Sequence, residues 1–270
     1  MTAAASPLYL MRWLGLALTG ITLGASGSYL ALTPQLPDIS TLKTMEYETP
    51  LKVYSRDGKL ISEFGVKHTI PLKYKEIPKP FVQAFLAAED DQFFQHDGID
   101  YAGLGRAFGE ILTTGNIRSG GSTITMQVAK NYFLSSDRTF SRKFTELMLA
   151  KRIEDSLSKE EILELYLNKI YLGQRAYGIG AAAKIYYGKS NPVSNAERAV
   201  IRRNWIVGRM LKLGYISQKA HDAAIAAPVA LNFKASMQDV QAPWLAEMVR
   251  ESLLERFGKS VYDTGYKVYT

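Results

Sequence analysis

Three groups of residues in this 270-residue chain combine types and spacings that could do chemistry. The first is Glu89-Asp90-Asp91-Gln92-Phe93-Phe94-Gln95-His96-Asp97-Gly98. Glu89 continues the apolar stripe of Val82, Phe85 and Leu86, so its carboxylate is expected on the core side of a helix, against apolar walls. A carboxyl group in such surroundings holds a proton more readily and can serve as a general base near neutrality. Three acids at a helix C-terminus also oppose the helix dipole, so helix stability does not account for them. Without that chemistry, the same stretch is a solvated acidic helix end with His96 as an ordinary loop residue.

The second group is Gly120-Gly121-Ser122-Thr123-Ile124-Thr125-Met126-Gln127, followed by Val128-Ala129-Lys130-Asn131. Paired glycines before hydroxyl residues leave backbone N–H groups and short donors free at a helix start, which suits phosphate oxygens, and Lys130 adds a charge about one turn on. No Gly-Lys-Ser/Thr follows, so this is not a Walker-type loop. A plain N-capped turn reads the same way. The third group is Arg142-Lys143-Phe144-Thr145-Glu146. Arg142 and Glu146 share a helix face at i, i+4, which by itself describes a surface ion pair of little consequence. The same cations could instead hold a pyrophosphate, with Glu146 orienting them or helping to hold a metal ion.

The elements that must position these groups are mostly helical. Pro78 and Pro80 suit a helix start, and Phe81, Val82, Phe85 and Leu86 recur at i, i+3, i+4 spacing. Helices are expected over 140–157 and 158–172, with Ser158 and Glu161 as a capping box, and over 196–213, 218–227 and 243–257. Two alternating runs, 51–55 and 60–64, flank Arg56-Asp57-Gly58-Lys59 and predict a β-hairpin. The last six residues read as a strand. Ser156-Leu157-Ser158-Lys159 matches S-x-x-K literally, but it spans a helix junction and lacks Ser-x-Asn and Lys-Thr-Gly partners, so it reads as structural.

The chain has no cysteine, which excludes disulfides, thiolate metal sites and cysteine nucleophiles. Its net charge of +7 favours acidic partners such as anionic lipid, a phosphorylated substrate or nucleic acid. From Trp13 to Leu32 there are twenty uncharged residues, long enough to cross a bilayer as a helix. Arg12 precedes this run and Asp38 is the first charge after it, so the short tail is expected in the cytoplasm and the rest outside. A cleaved signal peptide is the other reading, and Gly20 with Gly24 offers a helix-packing face.

Taken in order, the three groups resemble the motifs of family-51 peptidoglycan glycosyltransferases: E-D-x-x-F-x-x-H-x-G at Glu89 to Gly98, G-G-S-T-I-T-x-Q at Gly120 to Gln127, and R-K-x-x-E at Arg142 to Glu146. Further matches are Lys159 to Asn168, Ala176 to Ala183, and Arg202-Arg203-Asn204. The whole chain resembles the front half of a class A penicillin-binding protein of the 1a type. The resemblance implies a mainly α, lysozyme-like glycosyltransferase domain that polymerises lipid II with inversion. It makes Glu89 the base and Glu146 its companion, with Asp90, Phe93, His96, Gly121, Ser122, Thr123, Gln127, Lys130, Asn131, Arg142 and Lys143 binding substrate. The resemblance fixes no cofactor, and a divalent cation (Mg or Mn) beside Glu146 stays open. Implied partners are lipid II, the growing glycan strand, membrane lipid and cell-wall synthesis proteins, not nucleic acid.

The implied layout is a short cytoplasmic tail and inner-membrane helix at 1–33, a linker with a β-hairpin at 34–75, a periplasmic glycosyltransferase domain at 76–228, and a linker at 229–270 towards a transpeptidase domain that this sequence lacks. An apolar surface near Phe108, Ile111 and Leu112 is expected beside the cleft. Two departures stand out. Met126 replaces a glutamine common in the family, and Asn191-Pro192 follows Ser190 where the family has a helix and loop, so a chain gap is expected there. A lytic transglycosylase or muramidase shares the fold, and an inactive cell-wall scaffold would also retain it. The pyrophosphate-suited cations argue against the first, and intact Glu89 and Glu146 against the second.

Overall fold

The computed structural model describes residues 11–13, 15–16, 19–20, 24, 27, 36–45, 47–65, 68–115, 121–134, 140–173, 176–188, 196–228 and 239–270. Most of the apolar run 13–32 and the Ser190–Asn191 junction lie outside them. Among the described residues no helix is long and apolar enough to cross a membrane.

The chain is mainly helical with a small sheet. Strands β1 (Leu51–Tyr54) and β2 (Leu60–Phe64) form the expected antiparallel hairpin, with Leu51 opposite Phe64 and Val53 opposite Ser62. The turn works because Gly58 takes φ +81, where a Cβ would be strained, and Ser55 Oγ donates to Asp57 at 2.5 Å. The C-terminal strand β5 (Lys267–Tyr269) pairs with β1 in parallel, giving the order β2-β1-β5. Helix α9 (Pro243–Phe257) packs on this sheet, and Leu51, Val53, Ile61, Ala246 and Val261 make a small separate core.

The larger core belongs to the helices. After β3 (His68–Thr69) come α1 (Lys79–Glu89), α2 (Tyr101–Thr114), α3 (Ile124–Phe133), α4 (Phe140–Ser156) and α5 (Lys159–Lys169). Then follow β4 (Ala176–Tyr177), paired in parallel with β3, and α6 (Ile179–Gly188), α7 (Ala196–Lys212) and α8 (Gln218–Ala226). Val82 and Leu86 of α1, Ile124 and Val128 of α3, Leu149 and Ile153 of α4, and Ile162, Leu163 and Tyr166 of α5 form one buried cluster. Each such side chain contributes about 1.5–3 kcal/mol by leaving water. The α5 start follows from its capping box. Ser158 accepts from the Glu161 N–H while the Glu161 carboxylate accepts from the Ser158 N–H at 2.7 Å.

Candidate active site

Helix α1 ends at Glu89, and the backbone turns out of the helix at Asp90. The three acids then diverge, each to its own partner. Glu89 accepts from Gln127 Nε2 at 3.2 Å and lies 3.5 Å from the Arg202 guanidinium. Asp90 turns inward, where one oxygen accepts the Ile124 N–H at 3.0 Å and both face His96 Nε2 at 3.0 Å. Asp91 meets Arg209 at 2.5 Å. Asp90 closes α1 at its negative end, but it also sits at the positive N-terminus of α3, which offsets that repulsion.

The apolar setting expected for Glu89 is not what surrounds it. Its side chain is 32% exposed and faces a cleft of about 450 Å³ lined by Asp91, Asp100, Arg106, Gln127, Arg202 and Arg209, among others. Stripe periodicity places Glu89 correctly on the inner side of α1, but α3 and α7 present polar side chains to it. Phe93 is fully buried and the His96 side chain nearly so, and His96 holds Asp90, one of the residues that line the cleft. Gly98 takes φ +87 and packs so closely on α4 that a Cβ would lie 3.0 Å from the Ala150 carbonyl.

The second group opens α3. Thr123 is its N-cap, accepting from the Met126 N–H at 3.2 Å and donating to the Gly98 carbonyl at 2.7 Å. The N–H groups of Ile124 and Met126 are thus taken by Asp90 and Thr123, not left free for phosphate as the glycine-hydroxyl pattern suggested. Gly121 and Ser122 line the cleft, and Met126 is buried. Lys130 is exposed and Asn131 half-buried, one turn beyond Gln127 on the same side of α3.

The third group stands on α4 at the Ser122 edge of the cleft. Lys143 Nζ donates to Ser122 Oγ at 2.7 Å and to Glu146 at 2.9 Å, and Arg142 pairs with the other Glu146 oxygen. Glu146 is 3% exposed. Its two oxygens are engaged by cations, so they do not fit a divalent ion unless those cations move. Among the described residues no group of three or more His, Asp or Glu is placed to hold a metal.

Arg202, Trp205 and Arg209 of α7 complete the cleft and were not among the sequence-derived site residues. Arg209 ties α7 to α1 by donating to the Ala87 carbonyl at 3.0 Å, and Arg202 lies over the Trp205 ring at 4.7 Å. Only the Arg-Arg-Asn match pointed there. Leu112, on the nearby α2, is 71% exposed, while the Phe108 and Ile111 side chains lie outside those described.

The chain is 48% identical over 273 residues to penicillin-binding protein 1A of Pseudomonas aeruginosa, covering 93% of this chain and 33% of that protein. It is 44% identical over 287 residues to penicillin-binding protein 1A of Escherichia coli K12, covering 97% and 34%. A crystal structure of penicillin-binding protein 1A from Haemophilus influenzae aligns over 84% of this chain and 27% of that one, with a TM-score of 0.45 and 29% identity. The chain spans about a third of the length of the curated relatives it matches. A family profile described as Transglycosylase matches residues 57–203, which hold Glu89, Gln127, the α4 cluster and Arg202. On that match, over more than half of its residues, the chain belongs to the transglycosylase family.

Proposed function

We propose that the chain is a peptidoglycan glycosyltransferase that joins lipid II units into glycan strands with inversion at the anomeric carbon. One observation carries the reading. Glu89 and a Lys/Arg cluster stand at two sides of one cleft, linked to it through Gln127 and Ser122. Glu89 takes the proton from the acceptor hydroxyl as its oxygen attacks the donor's anomeric carbon. The bond from that carbon to the pyrophosphate oxygen breaks, and Arg142, Lys143 and Lys130 meet the charge on the departing lipid pyrophosphate. Glu89 later releases its proton to solvent. Glu146 orients the two α4 cations. Gly121, Ser122, Thr123 and Asn131 shape the donor side, and Asp90, Phe93 and His96 support the Glu89 loop from below.

A hydrolase needs a carboxylic acid poised over a poor sugar leaving group. Glu146, buried between two cations, is badly suited to that task. The proposal includes a lysozyme-like arrangement of the helices and a single-pass inner-membrane anchor at 1–33, supported by the uncharged run and Arg12. It also includes a linker at 34–75, a periplasmic catalytic domain at 76–228 and a second linker at 229–270. Contact of the 108–112 segment with membrane lipid beside the cleft is part of the same proposal, and Leu112 is exposed there. Detergent-solubilised protein incubated with labelled lipid II should form polymer. Failure to do so, with release of fragments from preformed glycan, would favour the lytic reading.

A further inference from the structure

Beneath the cleft lies an ion pair that the proposed chemistry does not use. Lys159, the first residue of α5, donates to Glu154 Oε1 at 2.8 Å and to the His96 carbonyl at 2.6 Å. Its ammonium also sits 4.3 Å from the Phe93 ring centroid. The side chains are 19% and 7% exposed, so the pair is largely shut off from water. Glu154 Oε1 also accepts from Thr125 Oγ1 at 2.5 Å. Within the loop, His96 Nδ1 accepts the Gly98 N–H at 3.2 Å, so Nε2 carries a proton and faces Asp90.

These bonds form a closed circuit: Asp90 to His96, the His96 carbonyl to Lys159, Lys159 to Glu154, Glu154 to Thr125, and back through α3 to Ile124 and Asp90. The circuit joins the loop that begins beside Glu89, the helix that carries Gln127, and the helix that carries Arg142, Lys143 and Glu146. A buried ion pair adds little to stability over neutral groups of similar shape, because desolvation offsets the attraction. Stability alone therefore does not explain the pair. What Lys159 supplies is a fixed donor for a loop carbonyl, which sets where the chain lies just after Glu89.

We propose that Lys159 is a positioning residue, holding the 90–98 loop on α3 and α4 so that Glu89 meets the acceptor hydroxyl in line with the donor. The catalytic part of this rests on the glycosyltransferase reading; the positional part does not. The test is the double variant Lys159→Met with Glu154→Gln, in the full chain in detergent. It removes both charges, keeps the volumes and leaves Thr125 its acceptor, while taking away the donor to the His96 carbonyl and the ammonium beside the Phe93 ring.

Thermal unfolding should change by no more than a few degrees, while amide exchange over 91–98 accelerates about tenfold relative to α4. Turnover should fall about tenfold or more, as small misplacements of reacting groups do, with KM within about threefold. Lys159→Arg, which retains a cationic donor, should recover most of the turnover. Wild-type exchange over 91–98, or a loss confined to KM, overturns the proposal. Should the double variant not fold, Lys159→Leu with Glu154→Gln removes the same donor, and wild-type exchange over 91–98 there overturns the proposal equally. A wild-type protein that makes no polymer refutes the glycosyltransferase reading and leaves the exchange measurement to decide the positional one.

Discussion

Arg202 of α7 lies 3.5 Å from the Glu89 carboxylate at the end of α1, although the whole helical core separates them in sequence. The guanidinium is 57% exposed and rests on Trp205, so it faces the cleft while its plane is supported. An exposed cation at this spot adds little to stability but much to the field an anionic substrate meets. Arg202→Ala should therefore lower kcat/KM for lipid II roughly tenfold, about 1.4 kcal/mol of transition-state stabilisation, with unfolding nearly unchanged. Steady-state kinetics at two salt concentrations check this. An unchanged kcat/KM contradicts it.

Tyr166 is fully buried in the main core, and among the described residues its hydroxyl has no hydrogen-bond partner. Burial, with the nearby Glu89 and Asp90 charges, pushes the phenol well above its ordinary range, so it stays neutral. An unsatisfied buried hydroxyl is a cost. Tyr166→Phe should leave stability unchanged or raise it by up to about 1 kcal/mol, measured by denaturant titration. A loss of that size would mean the hydroxyl has a partner after all.

Hydrogen bonds from the Ser158 backbone N–H and hydroxyl hold the Glu161 carboxyl below the usual carboxylate range. Its folded pKa is thus depressed relative to the unfolded chain. The stability it contributes is complete above the unfolded value, about 4.3, and is lost as pH falls through the folded value. Because Glu161 is solvent-exposed, Glu161→Gln should cost only about 0.5 kcal/mol at pH 7. That difference should vanish in strong acid. A difference that grows as pH falls has the wrong sign for this account.

Local rules made much of the fold legible. Pro78 and Pro80 opened α1, Asp57-Gly58 closed the hairpin, and Ser158 with Glu161 opened α5, because each signal acts within a few residues. The parallel pairing of β5 with β1 could not be read this way, since strand periodicity says nothing about a distant partner. The site divides along the same line. Glu89 was found from its stripe, but the polar wall opposite it comes from α3 and α7. In sequence Asp90 is one more acid in a row, and only the fold brings its oxygens to the Ile124 N–H and His96.

The central claim is that Glu89 removes the acceptor proton. Losing a well-placed general base costs about 10²–10⁴-fold in rate. Since Glu89 is partly exposed, Glu89→Gln should leave the fold intact, and its amide can still bond to Gln127. The direct measurement is turnover of labelled lipid II by Glu89→Gln beside the wild type, with binding of lipid II measured on the same preparations. The account predicts polymerisation reduced at least about 100-fold with lipid II binding retained. A Glu89→Gln variant that keeps more than about half of the wild-type turnover would contradict it, since so small a loss is far below that of a general base.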